Sequence, residues 1–326
     1  MAASGKLVIP GDLGDPVSSL FIDGEFVACG TLLGKVWLYR IGRNTRKMFA
    51  GFSDEAVRGI YVQDSTLYAT IGDQFCRQYR VNDPYDQLDV KFSRRSNGSG
   101  FKHVIQHFNQ VTVFYPGMTL FVDVVSNTQS MCPYKLQRPM ILNVCPIDSY
   151  QYLVLFTEFG VSESSSEPLP RKFRLVDVST SAVRWESDDA QISHARFINE
   201  STMVYVKGRS FVVCNFAGNN ASLREIPTSA RDVVALDCGL CMGADNPGLI
   251  LSVSQDGVIS ALEWTTGKVR YFSRLKSCYS FSLGFPYFVK GFLDDKRALH
   301  VAISDDYGVH YVEMKNEDGK AQSETV

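Results

Sequence analysis

The chain has 326 residues, 45% of them hydrophobic and 21% charged, and its 33 basic and 35 acidic side chains leave a net charge of −2. That much apolar content can bury a sizeable core, which excludes a disordered or low-complexity protein. A balance this close to neutral excludes a global field able to hold nucleic acid or an anionic membrane, so nucleic-acid association would need a local patch.

The first element in chain order is Lys6-Leu-Val-Ile-Pro10, a short apolar run with no partner in its neighbourhood. It is too short for a signal sequence, and no apolar stretch further on approaches the roughly 20 residues that span a bilayer. Next comes Pro16 to Ile41, with an apolar run, an Asp23-Gly24 turn, a second run ending at Gly30, a turn at Leu33-Gly34 and a third run through Trp37. Asp-Gly between apolar runs is a strong hairpin signal, so three successive strands are expected.

The same cadence returns from Ala56 to Val81, with turns at Asp64-Ser65 and Gly72-Asp73, and from His103 to Val125, with turns at Asn109 and Pro116-Gly117. Met140 to Val178 repeats it around a long insertion, and Ser193 to Phe216 has turns at Asn199-Glu200 and Lys207-Gly208. Val233 to Trp264 turns at Asp245 to Gly248 and again at Asp256-Gly257, and Tyr287 to Met314 turns at Asp294-Asp295 and Asp305-Asp306. A fourth run follows six of these seven copies: Thr45–Phe49, Gln87–Phe92, Gln129–Lys135, Ala182–Glu186, Ser222–Ile226 and Val269–Ser273. β-Branched and aromatic residues fill the runs and no helical period interrupts them. Four strands repeated every 39 to 51 residues is what the blades of a propeller require.

The segment Ser252-Val-Ser-Gln-Asp256-Gly257-Val-Ile-Ser-Ala-Leu-Glu-Trp264 resembles the close of a WD repeat, and Gly30 to Tyr39, with Trp37, resembles it less closely. The chain departs from that family in having no Gly-His pair at the head of a repeat and in lacking most terminal Trp-Asp pairs. The resemblance implies a divergent WD-type propeller and, with it, a role in holding other proteins.

The expected fold is therefore all-β: a single seven-bladed β-propeller over residues 1–314. The blades fall at about 16–49, 55–92, 101–137, 140–187, 191–226, 231–274 and 280–314, and 315–326 reads as a polar, disordered tail. The seventh copy supplies only three strands, so Leu7 to Ile9 is expected to add to it as the outer strand and close the ring.

No catalytic constellation emerges. His103 and His107 lie in an alternating strand pattern, which sets them roughly 13 Å apart at about 3.3 Å per residue, too far to share a metal ion. Cys238-Gly-Leu-Cys241 has zinc-site spacing but no second ligand pair. The other cysteines, at 29, 76, 132, 145, 214 and 278, mostly sit in apolar runs, which implies reduced thiols in a cytoplasmic or nuclear protein. Phosphate-loop and nucleophile-elbow motifs are missing, and the abundant aspartates fit turn chemistry. Neither a metal nor any other cofactor is expected. The three Asn-x-Ser sequons, at Asn97, Asn199 and Asn220, read as surface polarity, and the terminal Ser-Glu-Thr-Val matches carboxylate-capture motifs only in part.

Two loops carry charge suited to a partner. The connection from Lys91 through Arg94 and Arg95 to Lys102 is basic and glycine-rich, and the insertion from Gly160 to Pro170, with Glu163 and Glu167, is acidic and serine-rich. In a propeller, loops of both kinds emerge on one face. The reading is a non-catalytic protein-binding scaffold, monomeric within a larger intracellular assembly. Its alternatives are an enzyme or small-ligand binder using the central channel, and a nucleic-acid-associated propeller.

Overall fold

The structure, a computed structural model, describes residues 5–12, 14–49, 55–83, 87–92, 103–107, 109–115, 118–133, 140–146, 152–158, 172–177, 180, 182–188, 192–217, 221–228, 232–240, 248–275 and 287–315. Among them are seven four-stranded antiparallel sheets and no helix. The first sheet is β2 (Val17–Ile22), β3 (Phe26–Thr31), β4 (Val36–Arg40) and β5 (Thr45–Phe49), and the second is β6 (Val57–Gln63), β7 (Thr66–Ile71), β8 (Phe75–Arg80) and β9 (Gln87–Lys91). The third comprises β10 (His103–His107), β11 (Gln110–Tyr115), β12 (Met118–Asp123) and β13 (Thr128–Pro133). The fourth comprises β14 (Met140–Pro146), β15 (Tyr152–Glu158), β16 (Lys172–Asp177) and β17 (Ala182–Ser187). The fifth runs β18 (Ile192–Asn199), β19 (Thr202–Lys207), β20 (Ser210–Asn215) and β21 (Ser222–Pro227), and the sixth β22 (Val233–Leu240), β23 (Leu249–Ser254), β24 (Val258–Glu263) and β25 (Val269–Arg274).

The last sheet contains β26 (Val289–Leu293), β27 (Leu299–Asp305) and β28 (Gly308–Met314), and its outer strand comes from the other end of the chain. β1 (Lys6–Pro10) runs antiparallel to β28, pairing Lys6 with Tyr311, Leu7 with His310, Ile9 with Val309 and Pro10 with Gly308. The register shifts between Leu7 and Ile9, a bulge that lets two consecutive side chains, Val8 and Ile9, face inward and be buried.

The chain divides into two compact units, Met1–Asp54 with Thr228–Val326, and Glu55–Pro227. In the first, apolar side chains pack between the sixth and seventh sheets (Leu251, Ile259, Tyr271, Val301 and Val312 among them) and between the seventh and first (Ile9, Val27, Cys29, Tyr39 and Val309). In the second, clusters form between the second and third sheets, around Val90, Val111 and Leu120, and between the fourth and fifth, around Leu175, Trp185, Met203 and Cys214. Neighbours on both faces explain the sequence. Central strands such as β3, β23 and β24 are buried at every position and read as continuous apolar runs, whereas outer strands such as β9 and β21 are mostly exposed and polar.

Two local devices recur. In β2, β6, β14, β18 and β22 the register slips by one residue just after the strand begins, which re-aims that residue and sharpens the local twist. At the other end of the third to sixth sheets, the last residue of the third strand caps the following turn. Asp123 Oδ1 accepts from the Val125 and Ser126 amides at 2.9 Å each, Asp177 Oδ1 from Thr180 N at 3.2 Å and Asn215 Oδ1 from Ala217 N at 3.0 Å. Glu263 does the same through the Thr266 hydroxyl at 2.6 Å. A short acid or amide placed there gives the turn amides a fixed acceptor.

Removing residues 1–10 should lower stability by about 4 kcal/mol or more, since Val8 and Ile9 alone account for roughly 1.5–3 kcal/mol each and the edge of β28 is left unpaired. Urea denaturation of the shortened chain checks this, and an unchanged midpoint would show that β1 contributes nothing to the last sheet.

Candidate functional site

The place where β1 leaves the last sheet and the chain enters the first is a tight backbone crossing. The Gly11 amide donates to the Tyr307 carbonyl in the turn between β27 and β28. A Cβ on Gly11 would lie 2.7 Å from the Gly308 amide nitrogen, and a Cβ on Gly308, whose φ is +130°, would lie 2.2 Å from the Ile9 carbonyl oxygen. Only glycine fits both positions. The turn is held from inside by Asp305, whose Oδ1 accepts from Tyr307 N at 2.9 Å, Gly308 N at 3.1 Å and His310 Nε2 at 3.0 Å. Since a carboxylate only accepts, the imidazole carries its hydrogen on Nε2.

From Gly11 the backbone runs through Asp12 and Gly14 to Asp15, which clamps the β3–β4 turn of the first sheet. The Asp15 side chain is 1% exposed. It accepts from Thr31 Oγ1 at 2.9 Å and Leu33 N at 2.7 Å, and pairs with Lys35 Nζ at 3.1 Å. The hydrogen bond and charge of Asp15 hold the Lys35 ammonium above its usual pKa. Leu32 N donates to the Pro16 carbonyl at 3.0 Å, which ties the turn to this segment once more, through backbone alone.

Between the segment and the turn lies a cleft of about 230 Å³. Ile9, Val17, Cys29 and Trp37 line it with apolar surface, Gly11 and Gly308 with backbone, and Asp12, Asp15, Thr31 and Lys35 with polar groups. Asp12 Oδ1 accepts from Gly14 N at 3.0 Å and Oδ2 stands 3.7 Å from Lys35 Nζ, and the side chain is 66% exposed. With one lysine against two aspartates, the cleft carries a surplus negative charge. On either side, the turns present half-exposed apolar side chains: Leu33 at 52% and Tyr307 at 54%.

Burial and the nearby Asp15 charge push the Cys29 thiol well above its ordinary range, and burial pushes Cys76 and Cys214 up to about 12. All three are buried, unoxidised side chains.

Of the residues the sequence singles out for partner binding, Lys91 ends β9, exposed, its carbonyl accepting from Gln129 Nε2 at 2.8 Å. Arg94, Arg95, Lys102, Glu163 and Glu167 lie outside the described residues, as do Cys241 and the tail from 316. His103 and His107 begin and end β10, paired with Phe114 and Gln110. Cys238 lies on β22 opposite Ile250. Among the described residues, no three His, Cys, Asp or Glu side chains converge as a metal site would need.

Sequence reasoning passed over Asp15, because its partners lie 16 to 20 positions away across a hairpin. It also passed over an ion pair between innermost strands, in which Lys290 Nζ on β26 donates to the buried Asp237 Oδ1 on β22 at 2.7 Å. Placing both strands innermost in adjacent sheets was the one available signal.

Seven four-stranded antiparallel sheets, the last completed by the N-terminal strand, make this fold a seven-bladed β-propeller. The WD40 β-propeller domain of Doa1 superposes on 98% of this chain and 100% of its own with a TM-score of 0.62, at 9% sequence identity. No family model matches the sequence, and no match was found among curated proteins. Among the described residues, no helix is long and apolar enough to cross a membrane.

Two predictions follow from the clamp and the thiols. Asp15→Ala, which strands a lysine, a buried hydroxyl and a turn amide, should cost about 3 kcal/mol in denaturant unfolding. In native protein at about pH 8, iodoacetamide should leave Cys29, Cys76 and Cys214 unlabelled, because the thiolate is the nucleophile, and label them once urea is added. Peptide mapping reads both states.

Proposed function

We propose that this protein is a non-catalytic scaffold that binds other proteins, and that the cleft between its first and last sheets, with the turns beside it, is one of the surfaces it uses. Propellers of this fold generally serve as platforms for protein partners. The observation that carries the reading here is the pair Leu33 and Tyr307. Each is an apolar side chain left half exposed on a turn whose backbone is fixed by a buried aspartate, Asp15 for one and Asp305 for the other.

Rigid turns lower the entropy lost on docking, and a pre-positioned tyrosine offers large contact area with few rotatable bonds. Two such anchors flanking a cleft have the form of an interface centre. The scaffold would act as a single propeller within a larger intracellular assembly. The basic connection of Lys91, Arg94, Arg95 and Lys102 and the acidic insertion carrying Glu163 and Glu167 are proposed as a second contact surface. Their charges would set orientation and association rate more than affinity.

Replacing Leu33 and Tyr307 together by Asp should leave the fold intact, since both side chains are half exposed, and reduce recovery of specific partners about tenfold or more. Quantitative mass spectrometry of tagged wild-type and variant chains purified from native cells reads the loss. Equal recovery of every partner would reject this surface. Retention of those partners by Arg94→Glu/Arg95→Glu would reject the second one.

A further inference from the structure

The cleft combines an apolar lining with one largely exposed carboxylate, Asp12, and those two properties select a ligand class. Ile9, Val17, Cys29 and Trp37 supply the apolar lining. Asp15 is already satisfied by Thr31, Leu33 and Lys35, which leaves Asp12, two-thirds exposed, as the carboxylate with capacity for a further donor. An anion entering would meet the surplus aspartate, and a purely apolar side chain would leave the Asp12 carboxylate facing it. A long aliphatic stem ending in a cation satisfies both: the methylenes lie along the apolar lining, and the charged head pairs with Asp12.

We propose that the cleft takes the side chain of an arginine or lysine from a partner protein, presented on a segment whose neighbouring apolar residues cover Leu33 and Tyr307. Arginine suits it better, because its planar guanidinium both stacks on an aromatic ring and donates to a carboxylate in a fixed fork. This rests on the protein-binding reading above and names the chemistry of the partner at that surface.

The test uses the full chain, labelled with ¹⁵N, and three synthetic peptides: acetyl-Leu-Arg-Leu-amide, the same peptide with citrulline in place of arginine, and the same with glutamate. The chain has three tryptophans, so the indole N–H signal of Trp37 is assigned by its loss in Trp37→Phe. At millimolar concentration the arginine peptide should shift that signal saturably, with citrulline, its uncharged isostere, at least about fivefold weaker. Asp12→Asn, at an exposed position, should weaken the arginine peptide about three- to fivefold, and added salt should weaken it similarly.

Equal binding of arginine and citrulline peptides would overturn the proposal, as would no shift from any peptide or tighter binding of the glutamate peptide. In cells, partners lost from the Leu33→Asp/Tyr307→Asp chain but fully retained by Asp12→Asn would keep the scaffold reading and discard the cation. Partners retained by both would discard the surface itself.

Discussion

The last sheet depends on a strand contributed from the opposite end of the chain. Four residue pairs join β1 to β28, and the bulge in β1 turns both Val8 and Ile9 into the core shared with the first sheet. For β1 to leave that sheet and enter the next segment at once, its backbone must pass over the β27–β28 turn at closer than side-chain distance, which is why Gly11 and Gly308 face each other there. The cleft lies beside that crossing, and the backbone of Gly11 and Gly308 forms part of its lining.

Charge then fixes the surfaces around the gap. Asp15 and Asp305 are both buried carboxylates, and each holds a turn through its side chain. A buried carboxylate held by several donors is costly to disturb and so rigidifies what it touches. The turns that carry Leu33 and Tyr307 are thus held from inside, by Asp15 and Asp305 respectively.

Much of the architecture was legible from local signals. The Asp23-Gly24 and Asp256-Gly257 turns, the continuous apolar runs of central strands and the polar outer runs such as Thr45–Phe49 all mark strands whose burial is set by neighbours on both faces. The orphan run Lys6–Pro10 could be placed by subtraction, because the last copy was one strand short. The third-strand acids Asp123, Asp177 and Glu263 were overlooked. None of the three has a tryptophan before it, and the turn requires only the acceptor. The cleft itself was not legible. Asp12, Asp15, Thr31 and Lys35 meet across a hairpin, and Gly308 joins them only through the pairing between the two ends of the chain.

The sheet edges show the same division between local and distant constraint. Outer strands present unpaired backbone groups, a template for unwanted association that charge suppresses. β5 carries Arg46 and Lys47, β9 Asp89 and Lys91, β17 Arg184 and Glu186, β21 Arg224 and Glu225, β25 Arg270 and Arg274, and β1 carries Lys6. β13, Thr-Gln-Ser-Met-Cys-Pro, has none and leaves Met131 half exposed. Its Gln129 instead reaches back to the Lys91 carbonyl in the second sheet. Edge protection at six strands is thus written in single residues and can be read from sequence. At the seventh it depends on a bond between sheets, and such bonds become visible only once the sheets are assembled.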